Sequence, residues 1–172
     1  MNYFELFHLA PSFALDTDQL AVQYRQLQQQ YHPDRYATAS EAERLQALQQ
    51  ASDVNAAYQT LKDPLSRAEY LLMLQGPDIR GEQQTLQDPE FLMQQLSWRE
   101  ELEALREAAD PEAQIPVFEQ RISSEYNRLM QQLQQALAEV ALPLAADAIR
   151  KLKFVRKLRD ELSRLEDSLM DL

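Results

Sequence analysis

The chain has 172 residues, of which 45% are hydrophobic and 26% are charged, and it contains two glycines and no cysteine. This composition favours a folded, mainly helical protein of one domain or two small ones, and it excludes disulfides, a thiol nucleophile and a cysteine-ligated metal site. The net charge of −11 disfavours nucleic acid and anionic membranes as partners, because both would repel the chain.

The N-terminal sequence MNYFELFHLAPS lacks a basic segment followed by an apolar core, so we predict no signal peptide. No stretch of the chain approaches the roughly 20 consecutive apolar residues that are needed to span a bilayer. We therefore expect a cytoplasmic protein that is not inserted in a membrane.

The predicted helices are marked by their capping residues. Asp16 and Ser40 are predicted N-caps, each followed three residues later by Gln or Glu. Three Asp-Pro pairs, at 63–64, 88–89 and 110–111, predict further helix starts, because aspartate caps a helix and proline suits its first position. Gly76-Pro77 closes the helix that starts at Pro64.

Apolar residues recur at helical spacing along most of the chain. In the first half, the predicted stripes are Leu20, Tyr24, Leu27 and Tyr31, then Leu48, Ala51, Asn55, Tyr58 and Leu61 on the next helix. In the second half, they are Phe118, Ile122, Tyr126, Leu129, Leu133, Leu137 and Val140, then Ala148, Leu152, Val155, Leu162 and Leu169. Steps that average near 3.5 residues predict antiparallel, coiled-coil-like packing.

We predict an all-α protein of two domains. Residues 1–75 form a domain around an antiparallel helix pair with short flanking helices, residues 76–84 form a linker, and residues 85–172 form a three-helix bundle. The segment GPDIRGEQQTLQD contains both glycines and no apolar stripe, which is typical of a domain boundary.

The tripeptide His32-Pro33-Asp34 ends the second predicted helix, in the stretch YRQLQQQYHPDR. Proline disfavours helical geometry at His32 and fixes its own φ, so the helix must end near Tyr31 and the two polar side chains project from a stiff turn. Such a turn suits recognition, because little conformational entropy remains to be lost on binding. Such a tripeptide arises easily, so taken alone it is better explained by an ordinary loop or a core histidine than by a function.

A catalytic dyad of His32 and Asp34 is a further interpretation of the tripeptide. No serine nucleophile, cysteine or cluster of metal ligands accompanies it in the sequence. The other histidine, His8, is isolated and is more simply structural or exposed than a zinc ligand. We therefore expect neither an enzyme nor a metal site.

Over residues 1 to about 75, the whole pattern resembles a J-domain, the module that activates heat-shock chaperones of the DnaK class. The matching residues are Tyr24, Arg25, His32, Pro33, Asp34, Asn55, Ala57, Tyr58, Leu61, Asp63, Pro64, Arg67 and Tyr70. The resemblance implies that the chaperone's ATPase domain is bound by Arg25, His32, Pro33, Asp34 and Arg35, and that the J-domain itself catalyses nothing. The helix before the turn carries Arg25 among glutamines, so we expect weak electrostatic steering and a specialised chaperone.

The first helix of the second domain has more than one apolar face. Phe91, Trp98, Leu102 and Leu105 share one stripe, whereas Leu92, Met93 and Leu96 lie roughly 100–200° away, on the side of Arg99 and Glu100. In the last helix, Phe154 falls off the apolar stripe and is flanked by Lys151, Lys153, Arg156 and Lys157. These residues suit an interface with a partner, although packing against another helix or the first domain explains them about equally well.

A J-domain followed by a bundle with the sequences FLMQQLSWREELE and IRKLKFVRKL resembles the HscB family, the co-chaperones of iron–sulfur cluster biogenesis, over essentially the whole chain. The resemblance implies that the chaperone is HscA and that the iron–sulfur scaffold protein IscU is bound by Leu92, Met93, Leu96, Arg99, Glu100 and Phe154. It also implies that the chain binds no cofactor, because iron and sulfur belong to the scaffold. Ser97 and Ala104 stand where the family has glutamates, so we expect the apolar residues to provide more of the affinity, with a weaker salt dependence.

Alternatives to this function make different predictions. A J-domain protein that serves another client has no affinity for the scaffold protein, and an enzyme with His32 and Asp34 as acid and base turns over a small substrate by itself. A nucleic-acid-binding module is disfavoured by the net charge.

Overall fold

The computed structural model describes residues 1–81 and 88–171. Within these ranges the chain forms helices and no strand, which confirms the all-α class. The helices are α1 (Tyr3–Leu6), α2 (Thr17–Gln30), a 3₁₀ helix (Pro33–Tyr36), α3 (Glu41–Lys62), α4 (Pro64–Gln75), α5 (Pro89–Arg106), α6 (Pro111–Ala138) and α7 (Leu142–Met170). None of the helices in these ranges is long and apolar enough to cross a membrane.

The chain divides into two compact units, Met1–Arg80 and Gly81–Leu172. The first unit contains α1 to α4 and the second contains α5 to α7. Part of the predicted linker (residues 82–84), the predicted start of the bundle (residues 85–87) and the last residue of the chain lie outside the described residues.

The predicted helix caps form as expected from the sequence. Each capping side chain accepts a hydrogen bond from the backbone N–H three residues later, and proline occupies the first position after each of the three Asp-Pro caps; the caps are Asp16, Ser40, Asp63, Asp88 and Asp110. Gly76 ends α4 with φ +139°, a backbone conformation that favours glycine. The caps therefore set where five of the helices begin.

In the first unit, α2 and α3 form the predicted helix pair, but of the fully buried residues of α3 only Leu61 belongs to the predicted stripe. Leu48 is 61% exposed and Asn55 is also exposed. The buried residues of α3 are Ala47, Val54, Ala57 and Leu61. The side chains of Ala47 and Ala57 are small, so α3 can approach its neighbours closely on this face. The predicted stripe did not include these two alanines.

Arg67 and Tyr70, two of the residues that carry the resemblance to J-domains, fix α4 within the first unit. The buried Arg67 guanidinium donates a hydrogen bond to the carbonyl of Leu61 (3.1 Å) and lies over the Phe13 ring (5.4 Å to its centroid). Its burial lowers the pKa of Arg67. The Tyr70 ring stacks on Tyr3 at 4.5 Å, and its hydroxyl accepts a hydrogen bond from the Tyr3 backbone N–H (2.9 Å).

The second unit is a three-helix bundle in which the long helices α6 and α7 pack along each other and α5 packs on both. The buried residues include most of the predicted stripes, among them Ile122, Leu129 and Leu133 of α6 and Leu152, Val155 and Leu162 of α7. The same holds for Phe91, Trp98, Leu102 and Leu105 of α5, which are buried as predicted.

Val140 does not belong to the buried stripe of α6 as predicted. The helix ends at Ala138, and Val140 is 57% exposed with φ +55°. The backbone N–H of Ala141 donates to the carbonyl of Ala136 (2.8 Å), which makes this turn a Schellman-type helix end with valine at the left-handed position. The termination of the helix, which the apolar spacing did not indicate, turns Val140 to the surface.

Candidate functional site

The His32-Pro33-Asp34 turn follows directly after α2 and begins the 3₁₀ helix. His32 has an extended backbone (φ −63°, ψ 135°), as expected for a residue before proline. Its Nδ1 atom accepts a hydrogen bond from the backbone N–H of Asp34 (3.2 Å) and lies 3.6 Å from an Asp34 carboxylate oxygen. Because Nδ1 must offer a lone pair to this N–H, the neutral imidazole has its proton on Nε2 and can act as a donor there.

Further hydrogen bonds close the turn and fasten it to the end of α2. Within the turn, the backbone N–H of Arg35 donates to the carbonyl of His32 (3.0 Å). The backbone N–H of His32 donates to the carbonyl of Gln29 (3.5 Å), and the Tyr36 hydroxyl donates to the carbonyl of Gln30 (3.3 Å). The turn is therefore linked to α2 from both of its sides, so the polar side chains keep a fixed place relative to that helix.

The helix α2 is in turn held against α3 by Tyr24. Its ring stacks on Tyr58 with 3.8 Å between the ring centroids. Its hydroxyl donates a hydrogen bond to the Asn55 side chain (2.6 Å) and accepts one from Gln28 (2.8 Å). This hydrogen bond explains why Asn55 is exposed: its side chain binds Tyr24 of the neighbouring helix and does not fill the core.

The predicted chaperone-binding residues all lie at the surface of the first unit. They are Arg25 on α2 and His32, Pro33, Asp34 and Arg35 in the turn, and each of them is exposed. The structure places four of the five together in one turn, with Arg25 about two helical turns before it.

The predicted scaffold-binding residues of α5 form an apolar surface with a polar edge. Met93 is 69% exposed and Leu96 is 62% exposed, while Leu92 is half-buried. Arg99 and Glu100 follow Leu96 by three and four residues, so they lie on the same side of the helix. We refer to Leu92, Met93, Leu96 and Phe154, with Arg99 and Glu100 at their edge, as the α5–α7 face.

Phe154 connects α7 to this surface and packs within the bundle as well. The ring is half-buried, meets Phe91 edge-on at 5.8 Å and lies parallel to Trp98 at 6.2 Å. Both of its partners belong to the buried stripe of α5. Phe154 therefore stands where the core of the bundle meets the apolar surface.

Arg99 spans from α5 to α7 over the Phe154 ring. Its guanidinium lies 5.4 Å from the ring centroid and forms an ion pair with the carboxylate of Glu161. Sequence reasoning did not single out Glu161, although one signal was available. It follows Phe154 by seven residues, which is about two helical turns, and so shares its side of α7.

A second charged link joins the same two helices at the N-terminus of α5. Lys151 forms an ion pair with Asp88, the N-cap of α5 (3.1 Å), and its ammonium lies 5.5 Å from the Phe91 ring centroid. The hydrogen bond from Lys151 and the backbone bonds at the helix start lower the pKa of Asp88. This cation therefore pairs with a capping aspartate within the bundle.

Within residues 1–81 and 88–171, no group of three or more His, Asp or Glu side chains is arranged to bind a metal ion. His8 is exposed beside the end of α1, with φ +57°.

Comparison with known proteins places both units in described families. Residues 2–70 match the family described as DnaJ domain, and residues 87–163 match the family described as HSCB C-terminal oligomerisation domain. The chain is 61% identical over 171 residues to the co-chaperone protein HscB homolog of Aeromonas hydrophila, with 99% of each chain covered. It is 53% identical to the homolog of Photobacterium profundum, with 99% of this chain and 100% of that protein covered.

Solved structures show the same relationship. The chain is similar to the chaperone HscB from Vibrio cholerae, with 51% identity, a TM-score of 0.89, and 98% of this chain and 99% of that chain covered. It is also similar to the human co-chaperone protein HscB, with 27% identity, a TM-score of 0.87, and 96% and 82% of the two chains covered.

Proposed function

Because the chain belongs to the HscB family of J-domain co-chaperones, whose partners are Hsp70-type chaperones, we propose that it stimulates the ATPase of the specialised chaperone HscA and delivers the iron–sulfur scaffold protein IscU to it. The observation that carries the proposal is the exposed His32-Pro33-Asp34 turn, fastened to α2, on a chain whose second unit presents a separate apolar surface. The chaperone hydrolyses the ATP, so the chain needs neither a catalytic residue nor a cofactor.

The first unit acts through a preformed contact. The His32 imidazole donates from Nε2 and the Asp34 carboxylate accepts, and both are held in one turn by the hydrogen bonds at Nδ1 and at Tyr36. A rigid pair of this kind loses little conformational entropy when it binds the chaperone. Arg25 and Arg35 add positive charge to a protein that is acidic overall, so they favour an acidic surface on the chaperone.

The second unit acts by holding the scaffold protein. Exposed apolar side chains that are surrounded by polar ones are typical of a protein-binding surface, and the α5–α7 face has this composition. Tethering the scaffold to the J-domain raises its effective concentration at the chaperone, so that hydrolysis coincides with the presence of the client. A cytoplasmic location remains a prediction from the sequence.

The test is steady-state ATP hydrolysis by HscA, with and without this protein and with and without IscU. Wild type should stimulate alone and should stimulate more when IscU is present. His32→Gln should lose both effects, because the side chain that caps the turn and presents the donor is replaced. The double variant Met93→Ala/Leu96→Ala should stimulate weakly alone and lose the additional effect of IscU.

The outcomes separate the two parts of the proposal. If wild type stimulates HscA but IscU adds nothing, the J-domain function stands and the client is a different protein. If wild type does not stimulate HscA at all, the assignment of the turn as the chaperone-binding element is wrong.

A further inference from the structure

Glu161 is a charged residue whose carboxylate lies mostly covered beside the α5–α7 face, and the proposed function gives it no role. It stands on α7, two turns after Phe154, and forms an ion pair with Arg99 on α5. Arg99 in turn covers the Phe154 ring, so the order of contacts is carboxylate, guanidinium, aromatic ring. The ring also contacts Phe91 and Trp98.

We propose that Glu161 is a positioning residue for client binding: through Arg99 it keeps the Phe154 ring in the orientation that the client contacts. This inference rests on the proposed function, since the client is IscU. It assigns Arg99 an indirect role, in which the guanidinium fixes the ring instead of being a primary contact for the client.

Electrostatics gives Glu161 a second effect on the same surface. Arg99 lies one helical turn from Leu96, at the edge of the apolar side chains. An unpaired guanidinium there would have to lose water when a client covers the surface, and this desolvation disfavours binding. The Glu161 carboxylate already neutralises the guanidinium in the free protein. A client can therefore cover the apolar surface without burying an unpaired cation.

A double-mutant cycle tests whether Glu161 acts through Arg99. Glu161→Gln keeps the shape of the side chain and removes the charge, and it should weaken IscU binding roughly five-fold to ten-fold, as expected for loss of an oriented cation–aromatic contact. In an Arg99→Ala background, the same change should have an effect of less than about two-fold. Glu161→Asp retains the carboxylate and should restore most of the affinity.

The matched control is the ion pair between Arg121 and Glu101, which links α6 to α5 at 2.7 Å and does not involve Phe154 or α7. Glu101→Gln should change IscU affinity by less than about two-fold, because it loses a surface ion pair only. If Glu101→Gln weakens binding as strongly as Glu161→Gln does, the effect is a general loss of bundle stability and the proposal is wrong.

Trp98 supplies a readout that does not depend on the client. It is the single tryptophan of the chain and lies parallel to Phe154, so its emission in the free protein responds to movement of that ring. Glu161→Gln and Arg99→Ala should change the emission in the same direction, and the double variant should match Arg99→Ala. Unchanged emission in Glu161→Gln would overturn the proposal, even if wild type fails to bind IscU and the proposed function itself falls.

Discussion

Leu96 provides the sharpest test of the proposed client-binding surface, because most of its side chain is exposed in the folded chain. It is 62% exposed, so truncation to alanine removes few internal contacts. We expect Leu96→Ala to lower the free energy of unfolding by less than about 1 kcal/mol, as for a typical surface substitution. Its effect on IscU binding should be larger.

The expected size follows from the exposed fraction. Full burial of a leucine side chain contributes about 1.5–3 kcal/mol, and covering the 62% that is exposed would contribute about 1–2 kcal/mol of that. This free energy corresponds to a rise in the Kd for IscU of about 5-fold to 25-fold. Because alanine retains the Cβ atom and its contacts, the rise of about 25-fold in Kd is an upper limit.

The assay is isothermal titration of IscU into the wild type and the variant, together with chemical denaturation of each free protein. Leu144→Ala is the matched control, since Leu144 is the same residue type in the same bundle, is 65% exposed and lies outside the α5–α7 face. The reasoning is refuted if Leu144→Ala weakens binding as much as Leu96→Ala, or if Leu96→Ala binds like wild type.

Three further predictions concern the stability of the chain. Phe154→Ala should lower both IscU affinity and the free energy of unfolding, the latter by about 2 kcal/mol in chemical denaturation, because the half-buried ring packs inside the bundle as well. Val140→Gly should raise the free energy of unfolding by about 1 kcal/mol, because glycine adopts the left-handed backbone at φ +55° without the steric cost that valine meets. The hydrogen bonds from Arg80 lower the pKa of Asp78 to about 2, so its contribution to stability is present above about pH 4 and is lost as the pH falls through 2. Asp78→Asn should flatten this acid dependence in pH-dependent denaturation, and an unchanged profile would contradict it.

Helix starts were the most predictable part of the fold, because they depend on local chemistry. An aspartate that is followed by proline both caps and begins a helix, and α4, α5 and α6 all start in this way. The exposed side chains of the His32-Pro33-Asp34 turn were predictable for the same reason. Pro33 disfavours helical geometry at His32, so α2 ends just before the turn.

The buried face of α3 was less predictable, because it depends on how closely two helices approach each other. Leu48 is the stronger hydrophobe, yet the small side chains of Ala47 and Ala57 face the core. Close packing of small residues against a neighbouring helix stabilises through dispersion contacts that a hydrophobic pattern does not measure. Glu161 was not predicted for a similar reason. Its ion pair with Arg99 exists only when α5 and α7 are packed against each other.

The α5–α7 face also has a consequence for how the protein is made. Leu96 and Phe154 are separated by 58 residues (154 − 96), and α6 lies between them. At a synthesis rate of about 5–20 residues per second, the ribosome needs roughly 3 to 12 s to add Phe154 after Leu96. The first unit has been synthesised in full by then and can fold during that interval. If the proposed function holds, nascent chains therefore acquire the element that binds the chaperone before they acquire the surface that binds the client.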